Sequence, residues 1–258
     1  MTPREGFSLN FNTETDTAPL RLLAFDLDGT LTQHKSPLDA PVRALLEALS
    51  KRYRLLMVGA GSCRRIFEQM GRFPIDIIGN YGMEAAAYDP ETGDLRPVFQ
   101  KTVPCDREKQ AERVAYLREK YGFTAFAGDS VEYHASGCVT FPILGTKAQL
   151  PDKLAFDPDR SRRRAILPEV RAVFSDYNVF VGGTSSFDMS PAGYTKYEAL
   201  CRYADENGYA HGEILFFGDD FGPGGNDESV YSSDIAFQPI THYTEFPRFA
   251  EPLLKEPR

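Results

Sequence analysis

Leu22-Leu23-Ala24-Phe25-Asp26-Leu27-Asp28-Gly29-Thr30 is an apolar run that hands two aspartates to a glycine turn. Read as a strand, it places side chains two apart on one face. Asp26 and Asp28 then converge on one small volume, Gly29 permits a sharp turn, and Thr30 offers a hydroxyl. Two carboxylates that close repel each other, and a bound cation, a shared proton or a covalent reaction at one of them must offset the repulsion. A hairpin with an aspartate-glycine turn is the plain alternative, but an apolar strand seldom ends in two acids without a chemical task.

Outward from this run, Pro37 opens a segment in which Leu38, Val42, Leu45, Leu46 and Leu49 recur at helical spacing, and Leu55 to Val58 make a second short strand. A helix is expected from Ser62, with Ile66, Phe67 and Met70 on one face, and then a strand over Ile75 to Ile78. The alternation returns late, with a helix over Lys196 to Asn207 and strands over Ile214 to Phe217 and Ile235 to Phe237. This predicts an α/β core, a Rossmann-like parallel sheet with helices on both faces. Between the halves the pattern changes. A hairpin around Asp89 to Asp94 is followed by helical stretches at 106–121 and 159–176 and strand-like stretches at 131–144 and 178–189. We read an inserted α+β domain over residues 88–187, with 1–87 and 188–258 forming the core.

A second apolar strand also ends in acids, at Phe216-Phe217-Gly218-Asp219-Asp220, followed by Phe221-Gly222-Pro223-Gly224-Gly225-Asn226-Asp227. Carboxyl ends of neighbouring strands line the ligand crevice of an open parallel sheet. Asp219 can therefore complete an oxygen cage with Asp26 and the backbone carbonyl of Asp28. Mg2+ suits such a cage, since it takes a few carboxylates, several waters and a phosphate oxygen. Asn226 or Asp227 also reads as a helix cap, which ranks Asp227 below Asp219 as a metal ligand. Lys196 reads either as a solvated lysine or as the fixed positive charge that a carboxylate and phosphate site needs. Gly59, Ala60, Gly61 and Ser62 lie where a strand runs into a helix, and backbone amides there can hold an anion.

Composition narrows the partners. The 258 residues are 42% apolar with a formal net charge of −8, which disfavours nucleic acid and anionic membrane as partners. The first 18 residues are polar, and no later stretch approaches the roughly 18 to 20 apolar residues of a membrane span. A cytoplasmic location is expected. Cys63, Cys105, Cys138 and Cys201 have no paired spacing and read as reduced thiols.

Asp26-Leu27-Asp28-Gly29-Thr30, the Gly59 to Ser62 turn, Lys196 and Gly218-Asp219-Asp220, in that order, resemble the four signature motifs of the haloacid dehalogenase superfamily. The insert resembles the α+β cap of the branch that includes sugar phosphatases. The chain is similar to the eukaryotic-type phosphomannomutases, most closely at Gly182 to Lys196 and Phe216 to Asp227. The resemblance implies that Asp26 is a nucleophile forming an aspartyl phosphate, with Asp28 acting as acid and then base. It implies Mg2+ at Asp26, Asp219 and the Asp28 carbonyl, with Asp227 a further candidate, and Lys196 neutralising the remaining charge. Thr30 and the Gly59, Ala60, Gly61 and Ser62 turn are the candidate phosphate contacts. Ser186 and Asp188 fall where the mutases contact sugar, and Lys35 falls where they place an arginine.

The mutases grip a second phosphate with several cap arginines, yet Ala127 to Gly145 contains none. His134 stands where one is expected, and Lys147 is a stand-in for another. Arg162, Arg163 and Arg164 cannot all face one way on a helix and read mostly as a solvated face. The expected function is therefore a Mg2+-dependent phosphatase acting on a small phosphorylated metabolite, a sugar phosphate. The alternatives are a phosphomannomutase that interconverts hexose 1- and 6-phosphates and a non-catalytic phosphosugar-binding protein. The last predicts loss of one of Asp26, Asp28, Lys196 or Asp219, and all are present. Related mutases dimerise through the cap, and the aromatic-rich insert permits a homodimer here.

Overall fold

A computed structural model describes residues 19–255. The polar first 18 residues, on which the reading of the leader rests, lie outside the described residues. The first half of the core runs β1 (Leu22–Phe25), α1 (Ala40–Leu49), β2 (Arg54–Val58), α2 (Cys63–Gln69) and β3 (Asp76–Gly79), then the hairpin β4 (Glu84–Asp89) and β5 (Asp94–Gln100). The insert follows as α3 (Arg107–Tyr121), β6 (Glu132–Tyr133), β7 (Val139–Pro142), α4 (Leu150–Phe156), α5 (Ser161–Val173), β8 (Tyr177–Phe180) and β9 (Ser186–Pro191). The chain returns to the core through α6 (Lys196–Asn207), β10 (Ile214–Gly218), α7 (Glu228–Tyr231), β11 (Ala236–Pro239) and α8 (Phe246–Ala250).

The core is α/β. Its sheet has the order β11-β10-β1-β2-β3-β4-β5, parallel from β11 to β3. Period-two alternation sends the β1 side chains to opposite faces. Leu23 and Phe25 join Met57, Phe67, Phe217 and Phe246 on one face, while Leu22 and Ala24 join Val58, Leu200 and Phe216 on the other. Both faces are covered, which is why these strands read as unbroken apolar runs. The insert forms a second, antiparallel sheet of order β6-β7-β9-β8, whose Val139, Phe141, Phe187 and Met189 pack with Val114 and Leu117 of α3 and with Leu167 and Val170 of α5.

The boundaries of the insert differ from the sequence reading. Residues 88–100 belong to the core sheet, because β4 adds antiparallel to the open edge of β3 and β5 follows it. The Asp76 carboxylate accepts from the Tyr88 backbone N–H at 3.0 Å and fastens the turn-back. At the far end, β9 carries the insert's sheet on to Pro191. Several contacts seat the insert on the core. Tyr81 stacks on Phe180 with centroids 4.6 Å apart, and the Val181 N–H donates to the Gly224 carbonyl at 2.7 Å beside an Arg160–Asp220 ion pair. No helix among the described residues is long and apolar enough to cross a membrane.

Candidate active site

Parallel pairing of β1 with β10 sets Phe25 against Phe217, so the residues just beyond both strands meet. The Asp26 N–H donates to the Phe217 carbonyl at 2.9 Å. Gly29 then turns with φ +99°, and a Cβ there would lie 2.3 Å from Asp219 Oδ2. Glycine is needed twice over, for the backbone angle and for the room. Asp26, Asp219 and Asp227 each bring a carboxylate oxygen within 4.8 Å of the others.

Lys196, fully buried, reaches this cluster from the first turn of α6. Its Nζ donates to Asp26 Oδ1 at 2.6 Å and to Asp227 Oδ1 at 2.7 Å. Thr195 caps the helix, accepting from the Glu198 N–H at 3.2 Å, and so sets where Lys196 starts. Burial works against the Lys196 charge, but the Asp227 and Asp26 carboxylates outweigh it and hold the ammonium above the ordinary lysine pKa. Burial, then the Asp26 and Asp227 carboxylates, push Asp219 up to about 8. Burial likewise raises Asp227, against the pull of Lys196.

One lysine against three carboxylates leaves a deficit that a divalent cation matches. Asn226 Oδ1, beside this cluster, is buried and accepts no hydrogen bond among the described residues. The donor set therefore fits a hard cation such as Mg2+.

Asp28 is held separately. Its Oδ1 accepts from Gln69 Nε2 at 2.6 Å and from the Lys35 N–H at 2.7 Å, and its Oδ2 faces Arg65 Nη1 at 3.3 Å. Burial raises its pKa, but the Gln69 and Lys35 hydrogen bonds and the Arg65 charge win and leave it below the usual aspartate value. Arg65 and Gln69 were not picked out from the sequence. The signal was present, since they lie four apart on the helix expected from Ser62 and share a face.

A cleft of about 960 Å3 opens between core and insert, lined by Asp26, Asp28, Lys35, Gly59, Ala60, Asp219, Ser186 and Asp188 among others. An adjoining cleft of about 880 Å3 adds Gly61 and His134. Three sequence assignments change. Thr30 is fully buried and its hydroxyl donates to Asp219 Oδ1 at 3.0 Å, so it orients a carboxylate instead of meeting phosphate. Ser62 is the N-cap of α2, accepting from the Arg65 N–H at 3.2 Å, and does not line either cleft. Lys147 is exposed and off the cleft wall, where Thr146 takes the place beside it. Asp227, ranked below Asp219 among the metal candidates, shares the carboxylate cluster, and its fully buried side chain is also tied to Lys196 and to the Asp220 N–H at 3.1 Å.

The arginine run also departs from a solvated face. Arg163 is 1% exposed, bound to Asp157 at 2.9 Å and to the carbonyls of Gly182 at 2.6 Å and Ser186 at 3.0 Å. Arg162 is exposed, as expected.

A family model described as eukaryotic phosphomannomutase matches residues 125–251. A Saccharomyces cerevisiae phosphomannomutase is 25% identical, over 92% of this chain and 94% of the relative. A Drosophila melanogaster phosphomannomutase is 27% identical, over 91% and 94%. Among solved structures, an IMP-bound Plasmodium falciparum IMP-nucleotidase superposes with a TM-score of 0.67 at 14% identity, covering 92% of this chain and 69% of that one. A Streptococcus mutans protein gives a TM-score of 0.61 at 16% identity, over 92% and 100%. The fold is that of the haloacid dehalogenases, and the sequence is similar to the eukaryotic phosphomannomutases. In this chain Lys196 meets Asp26 and Asp227 at hydrogen-bond distance, and Asp219 lies in the same cluster of carboxylates.

Proposed function

We propose that the chain is a Mg2+-dependent phosphatase that hydrolyses a small phosphorylated metabolite, a sugar phosphate, through an aspartyl phosphate on Asp26. The observation that carries hydrolysis over transfer is the insert's side of the cleft. Its arginines are already engaged, Arg160 with Asp220 and Arg163 with Asp157 and backbone carbonyls. A mutase must retain a bisphosphate while it turns over, and each charge-assisted contact to phosphate contributes roughly 1.5–3 kcal/mol. Without such contacts, water is the better acceptor.

Asp26, oriented by Lys196, attacks phosphorus. The Asp26–phosphorus bond forms, the bond to the leaving oxygen breaks, and that oxygen takes a proton from Asp28. Water then attacks the aspartyl phosphate and gives its proton to Asp28, which frees Asp26. The hydrogen bonds from Gln69 and from the Lys35 N–H favour the proton-accepting carboxylate that this second step requires of Asp28. An entering phosphate brings negative charge beside Asp28 and competes for the half-exposed Arg65 guanidinium, and both effects raise the Asp28 pKa toward the protonated form that the first step needs. Mg2+ held by Asp26, Asp219 and the Asp28 carbonyl would shield the phosphate charge from the carboxylates. The acidic balance supports an enzyme without nucleic acid or anionic membrane partners, and we extend the proposal to a cytoplasmic homodimer through the insert.

The second reading is a phosphomannomutase, in which Asp28 deprotonates a sugar hydroxyl instead of water. The names of the relatives favour it, as the cleft wall favours hydrolysis. Phosphorus NMR of the protein with Mg2+ and mannose 1-phosphate or glucose 1-phosphate, with catalytic hexose bisphosphate, separates the two. Inorganic phosphate is the expected main product. Accumulation of the 6-phosphate isomer would instead establish the mutase.

A further inference from the structure

Strand register places Glu132, Thr140 and Asp188 side by side. Glu132 pairs with Thr140 across β6 and β7, and Thr140 pairs with Asp188 across β7 and β9. Their neighbours Val139, Phe141, Phe187 and Met189 are buried in the insert's core, so the period of two turns this row the other way. All three residues line the cleft that holds Asp26.

The hydrogens in the row are spent within it. Thr140 Oγ1 donates to Asp188 Oδ1 at 3.0 Å, and His134 Nε2 lies 3.1 Å from the same hydroxyl. A hydroxyl has one hydrogen to give, so the imidazole nitrogen is the donor in that contact. What the row offers to the cleft is acceptors, the Glu132 carboxylate and the second oxygen of Asp188. Neither residue forms an ion pair among the described residues. The insert's cations nearby are committed elsewhere, while Lys35 and Arg65 line the cleft from the core, beside Asp28. Arg160 and Arg163 pair with Asp220 and Asp157, Arg65 flanks Asp28, and Lys153 Nζ rests on the Thr146 carbonyl at 3.3 Å.

The geometry points to Glu132, acting with Thr140 and Asp188, as a specificity determinant that accepts the hydroxyl-bearing, uncharged end of a phosphomonoester and rejects a second phosphate. This rests on the phosphatase reading for placing the reacting phosphate at Asp26. Hydroxyl donors complement a row of acceptors, whereas a phosphate dianion brings no hydrogen and a like charge. Specificity here comes as much from repulsion of the wrong ligand as from attraction of the right one.

The test reads binding, so that it stands apart from turnover. Dissociation constants of glucose 6-phosphate and glucose 1,6-bisphosphate are measured by calorimetry on Asp26→Asn protein with Mg2+, with and without Glu132→Arg. Glu132 is exposed on the edge strand β6, where a substitution does not disturb packing. Should Asp26→Asn not fold, competition by the two sugars against acetyl phosphate hydrolysis by the otherwise unsubstituted enzyme gives the same ratio. The monophosphate is expected to bind about tenfold tighter or more, and Glu132→Arg to shift the ratio toward the bisphosphate by at least about tenfold. Equal or tighter binding of the bisphosphate to the Glu132 protein, as would follow if Lys153 seats it, overturns the proposal. So does a ratio that Glu132→Arg leaves unmoved. The phosphatase reading fails on a different result, the absence of inorganic phosphate from wild-type turnover.

Discussion

Lys196 carries one charge that two buried carboxylates share, so its loss acts on fold and chemistry together. Lys196→Met leaves Asp26 and Asp227 buried without a counter-charge, and breaking a buried pair costs about 3–5 kcal/mol. The expected outcome is a fall of that order in urea-denaturation stability along with loss of turnover. Unchanged stability would mean that the lysine is not the partner of both. Ser62 illustrates the opposite case, a hydroxyl at the right place in the chain with a different task. Ser62→Ala is expected to lower stability by about 1 kcal/mol, the usual cost of an N-cap, while KM for substrate stays near the wild-type value. A large rise in KM at unaltered stability would restore Ser62 to the phosphate site.

Among the elements, those carrying long apolar or helical periodicity were legible in the sequence. The helix expected over Lys196 to Asn207 is α6, and the strands expected near residues 55, 214 and 235 are β2, β10 and β11 within a residue or two. The carboxylates and lysine of the site were legible too, because strand ends converge by topology. Illegible were contacts set by direction: Thr30 turned inward to Asp219, and Arg163 folded back beneath α5 onto Asp157. The hairpin turn and β5 read as part of the insert because the turn is read locally, whereas the pairing of β4 with β3 is known only once the sheet forms. The Arg163–Asp157 pair carries a prediction at this scale. Burial raises the Asp157 pKa, but the Arg163 hydrogen bond and the backbone N–H groups of Arg163 and Arg162 win and depress it. A carboxyl depressed in the folded state contributes stability above its unfolded pKa, and that contribution is lost as pH falls through the folded value. Below roughly pH 4 the wild-type melting temperature should therefore fall more steeply than that of Asp157→Asn. Parallel curves for the two proteins would show that the pair does not titrate with folding.

For the whole molecule, the proposed reaction requires an acidic chain to handle an anionic phosphate by concentrating positive charge locally. Its formal net charge is −8, yet the mouth of the cleft carries Lys35 and Arg65, while Lys196 is sealed beneath Asp26. In the proposed reaction core and insert divide the work: the ends of β1 and β10 and the start of α6 gather the reacting groups, and the polar face of the insert's sheet confronts whatever is attached to the phosphate. All of this depends on Asp26 becoming phosphorylated. The most direct measurement is acid-quenched mass spectrometry of the enzyme mixed with Mg2+ and a sugar phosphate, followed by peptide mapping with and without hydroxylamine. We expect a hydroxylamine-labile phosphate on the peptide containing Asp26 that is absent from Asp26→Asn. Turnover with no phosphoenzyme, or with phosphate on a different residue, would contradict the assignment of Asp26 as nucleophile.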